Sequence, residues 1–163
     1  MKTYINKTNH PTPDSIEFKE VTPDNWRIIN SLSIKKEQKN FAASNVTILA
    51  RAFAYRKENA KVFAVYYSDE PVGLIMQRDW IDGEKTICIM DQFMIDKKSQ
   101  GKGLGKAALQ KWLSMIEAEK KYPCIQLCYV EGDIPAKHLY ENFGFYEIGK
   151  EEDEIIMQKD IEK

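Results

Sequence analysis

Apolar and polar residues alternate with a period of two over Ser15–Val21 (S-I-E-F-K-E-V), the period of a half-buried strand. Lys61–Tyr67 and Pro71–Met76 flank Ser68-Asp69-Glu70 and form an expected hairpin. Asp82-Gly83 marks another turn, followed by a long strand over Lys85–Ile95. Ile125–Glu131 is a further strand, and Tyr146–Lys150 with Glu154–Asp160 closes the chain as a hairpin.

Helical spacing takes over between these runs. Thr22 is a candidate N-cap with Pro23 at the first helical position, and Trp26, Ile29 and Leu32 follow at helical intervals. Over Phe41–Lys57, Ala42, Val46, Leu49 and Phe53 make one apolar stripe, and Phe41, Ile48, Ala52 and Tyr55 make a second. Asn45 interrupts the second stripe, as a solvated edge residue or as an amide aimed at a ligand; composition favours the first. Gly103–Lys120 is a third helix, with Leu104, Ala108, Trp112 and Met115 on one face. Pro135 opens a fourth that runs to about Phe143, with Gly144 as its C-cap. The order is β-α-α-β-β-β-α-β-α-β-β. Strand, crossover helix and strand across residues 85–131 imply a right-handed parallel pair inside a mixed sheet.

The chain of 163 residues suits one domain, expected over 15–163 behind a flexible extension at 1–14. Twenty-four basic against 25 acidic residues give a net charge of -1, which does not point to nucleic acid. No apolar run approaches a membrane span, and the first 14 residues lack the core of a secretory signal. Cys88, Cys124 and Cys128 form no C-x-x-C pair and read as reduced fillers, while His10 and His138 supply no metal spacing. The expectation is a cytoplasmic protein without a metal or membrane partner.

Three of the eight glycines fall within Gln100-Gly101-Lys102-Gly103-Leu104-Gly105-Lys106, between a strand and a helix. Such a turn presents free backbone N–H groups at the positive end of a helix dipole, a setting for phosphate. The sequence matches neither G-x-x-x-x-G-K-[ST] nor G-x-G-x-x-G, because Lys106 stands in place of the third glycine. A bare tight turn is the plainer reading, but Lys97, Lys98, Lys102 and Lys106 favour an anion site.

About 30 residues on stands Asp133-Ile134-Pro135-Ala136-Lys137-His138-Leu139-Tyr140-Glu141-Asn142-Phe143-Gly144-Phe145. The pairing of Q-x-x-G-x-G with [N/D]-x-x-A-x-x-L-Y-x-x-x-G-F resembles the GNAT superfamily of acyl-CoA-dependent N-acyltransferases. The resemblance implies an α/β (α+β) fold with a mixed, mostly antiparallel sheet, splayed at a parallel strand pair and flanked by helices. It implies acetyl-CoA as donor co-substrate. The pyrophosphate maps onto the amides of Gln100, Gly101, Lys102, Gly103, Leu104, Gly105 and Lys106, and the pantetheine arm onto Phe93, Met94 and Ile95.

Tyr140 matches the family tyrosine that protonates the departing thiolate, although periodicity alone makes it a core aromatic. Asp133 stands where asparagine is more frequent, and it accepts hydrogen bonds without donating them. Asp91 shares a strand face with Ile87, Ile89 and Phe93 if the strand is regular, which would raise its pKa toward general-base strength. A strand-edge carboxylate paired with a lysine is the alternative. The stretch Met90–Ile95 looks like the E-D-F-F-V stretch of diamine and polyamine acetyltransferases, which implies Asp91 as the base.

Lys36–Asn45 and Ser68–Met76 are similar to bacterial spermine/spermidine N-acetyltransferases. That similarity implies Glu37, Gln38, Phe41 and Asn45 as acceptor-side residues and a small-molecule primary amine, a polyamine, as acceptor. A protein amine, an amino acid or an aminoglycoside is the alternative acceptor, and a non-catalytic CoA-binding module the alternative class. A homodimer is compatible with the sequence.

Overall fold

The structure, a computed structural model, describes residues 10–162. Seven strands form one sheet: β1 Ile16–Glu20, β2 Lys61–Tyr67, β3 Glu70–Asp82, β4 Lys85–Ile95, β5 Cys124–Val130, β6 Tyr146–Glu151 and β7 Glu154–Asp160. Their order is β1-β2-β3-β4-β5-β7-β6, with β4 and β5 parallel and every other pair antiparallel. Four helices join them: α1 Trp26–Ser31, α2 Asn45–Ala54, α3 Leu104–Glu119 and α4 Ile134–Asn142. The expected element order, the parallel pair and the Asp82-Gly83 turn are all present.

Alternation along the sheet divides the core in two. Ile75, Val65, Ile125, Leu127 and Met157 face Leu109, Trp112 and Ile116 of α3. Leu74, Met76, Ala64 and Met94 point the other way, against Ile29 of α1 and Ile48 of α2. The buried indole of Trp112 donates to Gln77 Oε1 at 2.8 Å, so this polar pair is satisfied where neither partner reaches water.

The first two helices are shorter than expected. Thr22 does not cap a helix: Thr22 and Asn25 form a turn, with Thr22 N donating to Asn25 Oδ1 at 2.7 Å, and α1 begins at Trp26. Ser44 caps α2, its Oγ accepting from Thr47 N at 3.3 Å. Only the second apolar stripe of that helix turns inward. Val46 and Phe53 of the first are 61% and 70% exposed, whereas Ile48 is buried with Ala52 and Tyr55 beside it.

Two features shape the sheet where the site lies. The parallel pairing of β4 and β5 covers only Cys88–Met90 against Ile125–Leu127, after which the strands part. Just there the β3–β4 ladder slips: Gln77 faces Met90 and Met76 faces Gln92, leaving Asp91 as an extra residue. Such a bulge bends the strand and re-aims its side chain. The regular strand assumed for Asp91 is therefore broken at Asp91 itself.

Candidate active site

The glycine turn has the backbone that its sequence requires. Gly101 and Gly103 lie at φ 74° and 81°, where a Cβ is strained, and Gly103 is the N-cap of α3 with no side chain to offer. The first N–H groups of a helix have no partner within it. No N–H from Gln100 to Lys106 donates to a backbone carbonyl outside α3 among the described residues. Three glycines, bare amides and a helix dipole suit a pyrophosphate.

Beyond Met90 and Leu127 the splayed strands open a cleft of about 440 Å³. Its lining includes Phe93, Met94, Ile95, Gln100 and Gly105 on one side and Asp133 and Tyr140 on the other. The β4 edge that faced β5 is unpaired here, while its other edge stays bonded to β3 as far as Ile95. On this edge Ile95 O accepts from Gln100 Nε2 at 2.9 Å, and the remaining backbone groups along Phe93–Ile95, continuous with the turn, suit the amide-bearing arm of CoA. Gly101, Lys102, Gly103, Leu104 and Lys106 lie outside the cleft lining, and Lys102 Nζ folds back to Lys98 O at 2.9 Å.

Tyr140 is buried, stacked edge-on against Phe145 at 6.0 Å, and it lines the cleft. Its hydroxyl has no hydrogen-bond partner among the described residues, yet no fully buried polar side-chain atom is unpartnered, so the hydroxyl meets the cleft. Burial, with the charge of Asp133 behind it, pushes its pKa up and keeps the phenol protonated. Asp133 caps α4, its Oδ1 accepting from Ala136 N at 3.2 Å. Gly144 ends that helix at φ 87°, as expected.

Asp91 differs from expectation. Its pKa is lowered, not raised: burial acts upward, but hydrogen bonds and charge from Arg51 and Arg78 outweigh it. Arg51 Nε donates to Oδ1 at 2.8 Å and Nη2 to Oδ2 at 3.0 Å, while Arg78 Nε reaches Oδ2 at 2.6 Å. The partners are arginines from α2 and β3, not a lysine.

The acceptor-side residues separate. Phe41 and Gln38 line the cleft, and Gln38 exchanges amide hydrogen bonds with Gln100, at 3.1 and 2.8 Å. Glu37 is exposed and outside the lining. Asn45 is neither a solvated edge nor in this cleft: buried, it donates at 2.7 Å to both Ile29 O and Leu32 O, tying the end of α1 to α2. Arg51, Arg78, Cys128 and Glu154 line the cleft without having been singled out as site residues. Arg51 was within reach, lying three residues after Ile48 and four before Tyr55 on the inward stripe. The others depend on strand register and on the parting of β4 from β5. That parting also explains why Cys128 is exposed while Cys124 is buried.

Among the described residues no helix is long and apolar enough to cross a membrane, and no group of metal-ligating side chains forms. Residues 58–147 match the family model of the acetyltransferase (GNAT) domain. The chain is 32% identical over 144 residues to a probable spermine N(1)-acetyltransferase of Bacillus subtilis subsp. natto (strain BEST195). It is 31% identical over the same length to the spermine/spermidine N(1)-acetyltransferase of Bacillus subtilis (strain 168). Each match covers 80% of this chain and 88% of the relative. The fold is shared with spermidine N-acetyltransferase from Vibrio cholerae, solved with CoA and spermine: TM-score 0.70, 18% identity, 91% of this chain and 96% of that one. The chain thus belongs to the GNAT family and is an N-acetyltransferase with acetyl-CoA as its donor.

Proposed function

We propose that the acceptor is a polyamine such as spermidine or spermine, acetylated at a primary amino group by direct transfer. The observation that carries this reading is the 31–32% identity, across most of both chains, to two enzymes named for spermine. The cleft supports it with carboxylates at Asp133 and Glu154, which suit the cationic nitrogens of such a chain.

Bound along β4, acetyl-CoA supplies a thioester whose carbonyl carbon an amine nitrogen attacks as the C–S bond breaks. The amides of Gln100–Lys106 hold the pyrophosphate, Phe93–Ile95 orient the arm, and the opening between β4 and β5 exposes its reacting end. The Tyr140 hydroxyl donates a proton to the sulfur. A phenol that stays protonated through the neutral range fits that role, and general acids of this kind are worth roughly 10²–10⁴-fold. Asp91, held ionised by two arginines, is a poorer proton acceptor than a carboxylate in an apolar pocket. We therefore propose it as an anchor for Arg51 and Arg78 in place of the base role. No covalent enzyme intermediate is needed: desolvation by the cleft walls, with the charges of Glu154 and Glu151, pushes the pKa of Cys128 up to about 11, away from thiolate character.

The test is CoA release across a panel of spermidine, spermine, lysine, a peptide α-amine and an aminoglycoside. Polyamines are expected to give the highest kcat/KM. No polyamine turnover beside good activity on another acceptor overturns the substrate assignment. Tyr140→Phe is expected to lose about 10²-fold or more in kcat with acetyl-CoA affinity nearly intact. Unchanged kcat refutes its role.

A further inference from the structure

N-acetyl transfer needs a nitrogen with a free lone pair. An alkylammonium with an ordinary pKa near 10.4 leaves about one molecule in 2,500 uncharged at pH 7. Asp91, the carboxylate best placed by sequence to take that proton, has both oxygens engaged by guanidinium groups. The arrangement around it suggests another source of free amine.

Arg51 comes from α2, Arg78 from β3 and Asp91 from the β4 bulge, so three elements converge where the strands part. Two positive charges meet one negative, and Gln92 Nε2 adds only a neutral contact to Asp91 Oδ1 at 3.3 Å. The Tyr55 ring lies 5.2 Å from the Arg51 guanidinium and 4.5 Å from that of Arg78, which fixes both against a low-dielectric face. The Asp91 side chain is 2% exposed, whereas Arg51 and Arg78 retain 37% and 20% and line the cleft. Arg51 Nη1 and both Nη atoms of Arg78 make no hydrogen bond to protein among the described residues, and no fully buried polar atom is unpartnered. These donors are therefore open to water, on residues that line the cleft. The cluster is a net single positive charge, anchored on the wall of the cleft.

The other ionisable groups facing that space come from β5, β7 and α4. Cys128 and Tyr129 on β5 and Tyr140 on α4 are held in their uncharged forms by desolvation. Glu154 at the start of β7 and Asp133 at the start of α4 bring negative charge, and one Asp133 oxygen is spent on its cap. Charge in the cleft is thus divided, positive toward α2 and β3 and negative toward α4 and β7.

We propose that the Arg51–Asp91–Arg78 cluster is a fixed positive charge that holds the reacting acceptor nitrogen uncharged, so that its ammonium proton passes to cleft water and not to Asp91. Cation-induced loss of an amine proton is an established way to activate a nitrogen nucleophile. A unit charge roughly 6 Å away, at an effective dielectric of about 20, shifts the balance toward the free amine about a hundredfold, against which the carboxylates of Glu154 and Asp133 act from the far wall. The protons balance. One leaves the ammonium for water before attack, and the one shed as the N–C bond forms matches the one delivered to sulfur. Arg51 and Arg78 act through their field and need not touch the nitrogen. This rests on the N-acetyltransferase activity and not on the polyamine assignment, since any primary amine that the enzyme turns over can be used.

The experiment is the pH dependence of kcat from pH 6 to 10 at saturating acetyl-CoA, with folding of each variant followed by thermal melting. Arg51→Gln, which neutralises the cluster, is expected to move the acidic limb up by one to two pH units. Its rate should fall tenfold or more at pH 7 and approach wild type near pH 10. Arg51→Lys keeps the charge and should leave the limb in place, while Asp91→Asn raises the net charge and should move it down. Arg78→Gln repeats the first test from β3 should Arg51→Gln fold poorly. A wild-type arm uses a fluorinated alkylamine of weak basicity, for which the acidic limb should fall by the same interval as the amine's own pKa. An equal loss for Arg51→Gln and Arg78→Gln at every pH overturns the proposal. So does loss of the acidic limb in Asp91→Asn with a hundredfold slower plateau, the signature of a base.

Discussion

Gly73 offers a sharp test of how the sheet holds the cofactor edge. It lies in β3 opposite Ile95, the last residue of β4. A Cβ there would fall inside the contact distance of the Met94 carbonyl oxygen, 2.9 Å from Ile95 Cδ1 and 3.3 Å from Ile95 Cα. Its φ is one that alanine adopts freely, so the effect of Gly73→Ala is steric alone. Rotation of Ile95 relieves one contact, but the carbonyl and Cα move only if the end of β4 moves, by on the order of 1 Å. Overpacking against backbone belongs at the upper end of the usual range, about 3 kcal/mol, or roughly 6–12 °C in Tm for a chain of this size. The moved segment is the one assigned to the pantetheine arm, and a misplacement of about 1 Å can cost up to roughly 10²-fold in rate. Thermal melting and saturation kinetics in acetyl-CoA read the two effects separately. A Tm within 1 °C of wild type refutes the steric reasoning, and a large Tm loss with unchanged kcat/KM for acetyl-CoA refutes the cofactor edge.

Three other outcomes follow from the same geometry. Asn45→Ala removes two hydrogen bonds to the end of α1 and should cost about 2–3 kcal/mol in a denaturant melt; a more than tenfold rise in KM for the amine, without that loss, would restore a substrate role. The lowered pKa of Asp91 means that the unfolded chain binds its proton first as pH falls. The stability that Asp91 adds is therefore whole above the ordinary carboxylate pKa near 3.9 and lost as pH drops through the folded value below it. The melting difference between wild type and Asp91→Asn should be flat from pH 6 to 8 and close below about pH 4; closure near neutral pH would contradict the ion pair. Among the three thiols Cys128 should react first with iodoacetamide, its rate rising without a plateau from pH 7 to 10 because its pKa is about 11. A plateau by pH 8 would exclude that environment.

Local chemistry made much of this protein legible. Apolar patterning and turn residues located each strand and α-helix but not its ends: β3 runs to Asp82 beyond the expected Met76, and α1 starts only at Trp26. Gly101, Gly103 and Gly144 announced their turns, since few other residues hold a positive φ cheaply. Tyr140 was recognisable only by motif, as its helical spacing is that of any core aromatic. What the pattern could not carry was the choice between faces and partners. Two apolar stripes on α2 were equivalent in sequence, and packing against β2 and β3 buried one and left Phe53 in solvent. The ionisation of Asp91 was decided by a one-residue ladder slip and by arginines 40 and 13 residues away in sequence. A side chain's charge state depends on what surrounds it in space, and contacts of that range exist only once the sheet has formed.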